Sequence, residues 1–137
     1  MKTKTIKQKT SNKNKDKNMK ELKNTKYEMI KSDKVTLDNK PLFQIKALKN
    51  FGVVKKGELG GYIEKKENLS ENGDAWVYEN AQVYENAQVF GNARVYGDAW
   101  VSGDSQVSGD SQVSGNARVY GDAWVSGNAQ VYGDARV

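Results

Sequence analysis

Valine recurs every six residues from Val77 to Val137 without a miss, and so short and strict a period restricts the chain to a repeat architecture. Two residues before each valine sits Ala, or Ser at Ser105 and Ser111. One residue earlier is always Asn or Asp. The unit therefore reads Gly-Asn/Asp-Ala-x-Val-y. In an extended Ala-x-Val the small residue and the valine point one way and x points the other. Gly-Asn and Gly-Asp then turn the chain, because both residue types tolerate positive φ. Three such strands and three corners close one triangular coil of eighteen residues. Eleven hexads make about 3.7 coils, roughly 18 Å of stacked height at the usual strand spacing. Stacking buries a thin continuous core that no single repeat could bury.

The corners carry their own signal. Glu79 and Glu85 stand where other units have Gly, and each is followed by Asn. That pairing predicts the left-handed conformation at the Asn/Asp position, with Gly easing it. Residues eighteen apart form columns, such as Asn80–Asp98–Asn116–Asp134 and Asn86–Asp104–Asp122. Alternating amide and acid keeps most carboxylates from facing each other directly. A calcium array would need adjacent acids and a glycine-rich nonapeptide, so no metal ligands are assigned.

The outward x positions include Trp76, Trp100 and Trp124, which recur every 24 residues. On an eighteen-residue coil each tryptophan moves to the next face, and no tryptophan stripe forms. Arg94 falls one coil above Trp76 and Arg118 one coil above Trp100, which suits cation–π pairing for both. Trp124 has no such partner. The plainest account of the tryptophans is a copied 24-residue block that covers the wall. The functional account makes Trp124, Tyr120 and Tyr132, together with Val137, a partner-contact surface. A coil edge at Val137 would also offer unpaired backbone groups to a second subunit or another protein.

Two segments precede the repeat. Residues 25–72 read as a β-strand cap and a first irregular coil. Tyr27-Glu28-Met29-Ile30 and Val35-Thr36-Leu37 suggest short strands, Asp38-Asn39-Lys40 a turn, and Pro41 to Leu48 a half-buried strand. Gly60-Gly61 punctuates a turn; without the Lys-Ser/Thr of a phosphate loop it carries no nucleotide site. Ile63 and Leu69 are six apart, so the hexad starts there imperfectly. A two-residue insertion near Glu71-Asn72 separates Leu69 from Val77. Residues 1–24 contain nine Lys and no aromatic residue. Such a stretch cannot bury enough surface to offset its ordering entropy, so a disordered basic tail is expected. The tail either solubilises the chain or touches nucleic acid or an acidic partner.

Charge divides the same way. Residues 1–72 hold 19 Lys against 9 acids, and residues 73–137 hold 3 Arg against 8 acids, so +10 and −5 give the net +5. The chain has no cysteine and no histidine. Thiolate chemistry and disulfides are excluded, as are the commonest general base and metal ligand. The lysine-rich start lacks an apolar h-region and no apolar run is long enough to span a bilayer, so a cytoplasmic protein is expected.

The hexads resemble those of the hexapeptide-repeat proteins that form a left-handed parallel β-helix. The resemblance is closer to the YdcK-like bacterial and phage group. It is carried by the leader Ala47 to Gly57, by Gly60-Gly61-Tyr62-Ile63, by Asn68-Leu69-Ser70 and by Gly73-Asp74-Ala75-Trp76-Val77-Tyr78. What it implies is an all-β fold: a single-stranded, triangular, left-handed β-helix with an N-terminal β-hairpin-like cap. It also implies a broad label of acyltransferase for the wider class. The catalytic members of that class use His, and this chain has none, so no catalytic or cofactor-binding residue carries over. The expected function is a non-catalytic structural or protein-binding module. Its small size and acidic body suit a phage or mobile-element accessory protein that inhibits a host macromolecule. The alternatives are an acyltransferase-like enzyme and nucleic-acid contact through the basic tail.

Overall fold

A computed structural model describes residues 24–137, so the tail expected over residues 1–24 lies outside the described residues except for Asn24. The chain enters through Asn24, whose side-chain oxygen accepts the N–H groups of Lys26 (2.8 Å) and Tyr27 (3.1 Å). Three longer strands follow: β1 (Tyr27–Val35), β2 (Pro41–Ala47) and β3 (Leu59–Ile63). A 3₁₀ turn spans Lys66–Asn68, and then two-residue strands recur every six residues from Trp76–Val77 to Gln130–Val131. No described helix is long and apolar enough to cross a membrane.

The two-residue strands stack in parallel into three faces. The first holds Gln88–Val89, Gln106–Val107 and Trp124–Val125. The second holds Trp76–Val77, Arg94–Val95, Gln112–Val113 and Gln130–Val131. The third holds Gln82–Val83, Trp100–Val101 and Arg118–Val119. Partners are eighteen residues apart throughout, as the coil arithmetic requires. Below them the offset is twenty: Ile63 pairs with Val83 and Leu69 with Val89. The two extra residues at Glu71-Asn72 lengthen that first coil. The result is a triangular β-solenoid, and its inward Val77 to Val119 ladder is fully buried.

Each strand is one residue shorter than the Ala-x-Val pattern suggests. At most corners the alanine N–H folds back onto the y residue three before it, as in Ala81 to the Tyr78 carbonyl (3.1 Å) and Ala87 to Tyr84 (3.3 Å). Alanine therefore closes the corner. The small-residue requirement is steric, and where serine replaces alanine its hydroxyl finds the same carbonyl: Ser105 Oγ donates to Ser102 O and Ser111 Oγ to Ser108 O, both 2.7 Å.

The corner expectation is corrected. Positive φ falls on the Gly/Glu position, with Gly91 at 70°, Glu79 at 58° and Glu85 at 59°, and not on the Asn/Asp that follows. A left-handed glutamate is strained, but its carboxylate recovers something. Glu79 accepts the N–H of Gly97 (2.7 Å) and Glu85 that of Gly103 (2.8 Å), each one coil above. The Asn/Asp side chains make a separate ladder, in which Asn86 donates to Asp104 and Asn92 to Asp110, both at 3.1 Å.

The cap extends the third face. β3 runs parallel to Gln82–Val83 on one side and antiparallel to β2 on the other, and β1 pairs antiparallel with β2. Val35-Thr36-Leu37 is not a strand. Val35 ends β1, and Thr36 opens a loop closed by its N–H to Lys40 O (2.8 Å), with Asn39 at φ 69°. Nor do Gly60 and Gly61 make a turn. They lie inside β3, where a Cβ on Gly60 would sit 2.5 Å from Val77 O and 2.9 Å from the Trp76 ring. They are glycines because the next coil packs onto the strand backbone.

Candidate binding face

The outer surface of the third face forms one column: Tyr62, Gln82, Trp100, Arg118 and Arg136. Each pair of neighbours is in register. The column starts with Lys34 Nζ 5.1 Å from the Tyr62 ring centre. Higher up, the Arg118 guanidinium lies 4.3 Å from the Trp100 ring centre, which is the stacking expected one coil above that tryptophan. Trp100 is also met edge-on by Tyr84 at 6.2 Å. Burial is the main cause pushing the Tyr84 hydroxyl above its ordinary pKa.

This column floors a groove of about 300 Å³. Trp100, Arg118 and Arg136 line it from the face, and Tyr84 and Tyr120 from the adjoining corner. Ser102 and Leu37 complete the lining, and Leu37, on the loop after β1, is 83 % exposed. The loop that presents Leu37 is held from within. The Thr36 hydroxyl donates to Asp38 (2.7 Å) and accepts the Lys40 N–H (3.0 Å), and the first of these bonds is the main cause holding the Asp38 carboxyl below its usual range.

The four sequence-derived contact residues are all exposed but do not converge. Trp124 is 73 % exposed on the first face, Tyr132 precedes the corner into the third face, and Val137 follows Arg136. Only Tyr120 joins the groove. No ring pair among the described residues links Tyr120, Trp124 and Tyr132.

Trp76 is also placed differently from the expectation. It is fully buried, with Phe51 edge-on at 5.2 Å and Tyr27 at 6.3 Å, and Arg94 does not roof it. The cap covers what would otherwise be an outward position. Gly60, whose missing Cβ leaves room for this ring, was the available signal. Asn68 was missed as well. Fully buried, it accepts the N–H groups of Glu64 (3.0 Å) and Lys65 (2.9 Å) and donates to Glu85 O (3.1 Å) and Ala87 O (2.8 Å). A polar residue at a corner gives no sequence sign of such saturation.

These coils define a repeat β-solenoid protein. Residues 87–103 and 111–127 match the family model described as YdcK Beta solenoid repeat. Over those residues the repeat body is similar to the YdcK solenoid repeat, in agreement with the resemblance of the hexads. No curated protein matches the chain.

Proposed function

We propose that the protein is a non-catalytic binding module, in which the solenoid is a rigid support for a macromolecular contact on its third face. The groove beneath Leu37 carries this reading. It brings together two arginines, a tryptophan and two tyrosines, the residue types that anchor protein contacts, beside an exposed leucine. The sequence offers no His or Cys to act there as base or nucleophile. An accessory role in a cytoplasmic setting, blocking a host macromolecule, is the more specific form of the proposal and rests on size and charge.

The test is a thermal-shift titration with acetyl-coenzyme A beside photo-crosslinking from position 37 in host lysate. The proposal expects no saturable shift and a discrete crosslinked protein that is lost with Trp100→Gln. Saturable stabilisation by the acyl donor would instead support the acyltransferase-like alternative.

A further inference from the structure

We propose that the groove on the third face recognises a short acidic peptide segment, with a carboxylate across Arg118 and Arg136 and an apolar side chain between Leu37 and Tyr120. This rests on the binding-module reading and adds the chemistry of the partner. Arg118 and Arg136 are register partners on adjacent rungs. Like charges directly opposite each other repel. Among the described residues neither guanidinium has a carboxylate partner within ion-pair distance. Arg118 is oriented by its stacking on Trp100, which leaves its N–H edge open for a planar anion. A carboxylate between the two guanidiniums would remove the repulsion and add charge-assisted hydrogen bonds. Leu37 and Tyr120, both exposed, supply an apolar wall beside that point.

Charge on the flanks selects the class of occupant. The corner columns that frame the third face carry Asp98 and Asp134 on one side and Asp104 and Asp122 on the other. A nucleic acid carries a phosphate at every nucleotide, and most of them would meet these carboxylates. A peptide with one or two acids can place its charge on the arginine pair alone.

Three labelled probes test this on the full chain by fluorescence anisotropy: a short Glu-Leu peptide carrying two glutamates and two leucines in a neutral Gly/Ser background, the same peptide with Gln for Glu, and a single-stranded DNA dodecamer. The Glu-Leu peptide should bind, and the Gln peptide should bind about tenfold more weakly, the loss expected for one charge-assisted contact. Arg118→Gln, Arg118→Lys and Arg136→Gln should each weaken the Glu-Leu peptide, and Leu37→Asp should abolish its binding. Both arginines are exposed, so circular dichroism should show these variants folded. Equal binding of the Glu and Gln peptides, or binding untouched by the arginine variants, overturns the proposal. So does DNA binding that those variants abolish. If crosslinking from position 37 captures a partner while the Glu-Leu peptide fails to bind, the acidic-peptide chemistry is wrong and the binding module stands. If neither occurs, both are wrong.

Discussion

Trp76, Trp100 and Trp124 share one repeat position, each between Ala and Val, yet replacing them with Gln should have three different costs. Gln is the natural comparator, since Gln82, Gln88, Gln106, Gln112 and Gln130 fill the same position. Trp76 is fully buried beneath Tyr27, Phe51 and Gly60. A tryptophan side chain buries on the order of 150–250 Å², worth about 4–6 kcal/mol at 25 cal/mol per Å² as an upper bound. Trp76 Nε1 has no hydrogen-bond partner, which subtracts from that figure. Gln would leave a cavity and bury an amide as well, so a loss of about 3–5 kcal/mol is expected. Trp100 is half-buried between Tyr84 and Arg118, and its loss should cost about 1–2 kcal/mol. Trp124 is 73 % exposed, and Trp124→Gln should fall within about 0.5 kcal/mol of wild type. Urea unfolding followed by far-UV circular dichroism reads all three without relying on tryptophan emission. Equal costs at the three sites would refute the burial argument, as would a Trp124 variant weaker than the Trp76 variant.

Other consequences follow from single contacts. Asn68→Ala removes four hydrogen bonds at the first corner and should destabilise by about 2–4 kcal/mol in the same urea assay. Gly109→Ala and Gly127→Ala impose the same left-handed φ, but a Cβ on Gly109 would lie 2.8 Å from Gly127 O while one on Gly127 meets nothing within 4 Å. The Gly127 variant should lose about 1–2 kcal/mol and the Gly109 variant clearly more. Burial pulls Lys26 down to about 8 even though its Nζ donates to Ser70 O (2.9 Å). Below that pH both states hold the proton. From pH 8 to about 10.4 the unfolded chain binds more protons than the folded one, so stability should rise with pH across that window. Lys26→Met should flatten the rise. Burial pushes the Tyr27 hydroxyl upward, so above about pH 10 the unfolded chain loses a proton the native state keeps, and stability should fall again.

Much of this architecture was legible because a hexad is a local pattern repeated. Valine spacing sets the coil length, coil length sets the register, and register alone puts Arg118 on Trp100 and moves each tryptophan to a new face. The two-residue insertion was readable for the same reason, and it appears as the twenty-residue offset of Ile63 and Leu69. The positive-φ position is not legible in the same way, because Asn after Glu points to the Asn as the strained residue. The backbone strains the glutamate, and the carboxylate then reaches an amide one coil above, a contact invisible in a linear pattern.

The cap is where local reading fails. Within its own hexad nothing distinguishes Trp76 from Trp100 or Trp124, since burial there depends on Tyr27, Phe51 and Gly60 arriving from elsewhere in the chain. The groove has the same origin. Its arginines and Trp100 follow from the repeat, but Leu37 reaches it only because the β1–β2 hairpin extends the third face and its loop leans over the column. By itself the sequence determined the coil, its register and the identity of every residue on each wall. Only the tertiary structure decided which of those walls is covered and which is left open to bind, because covering one face requires contacts between residues far apart in the chain, and a six-residue period holds no information about them.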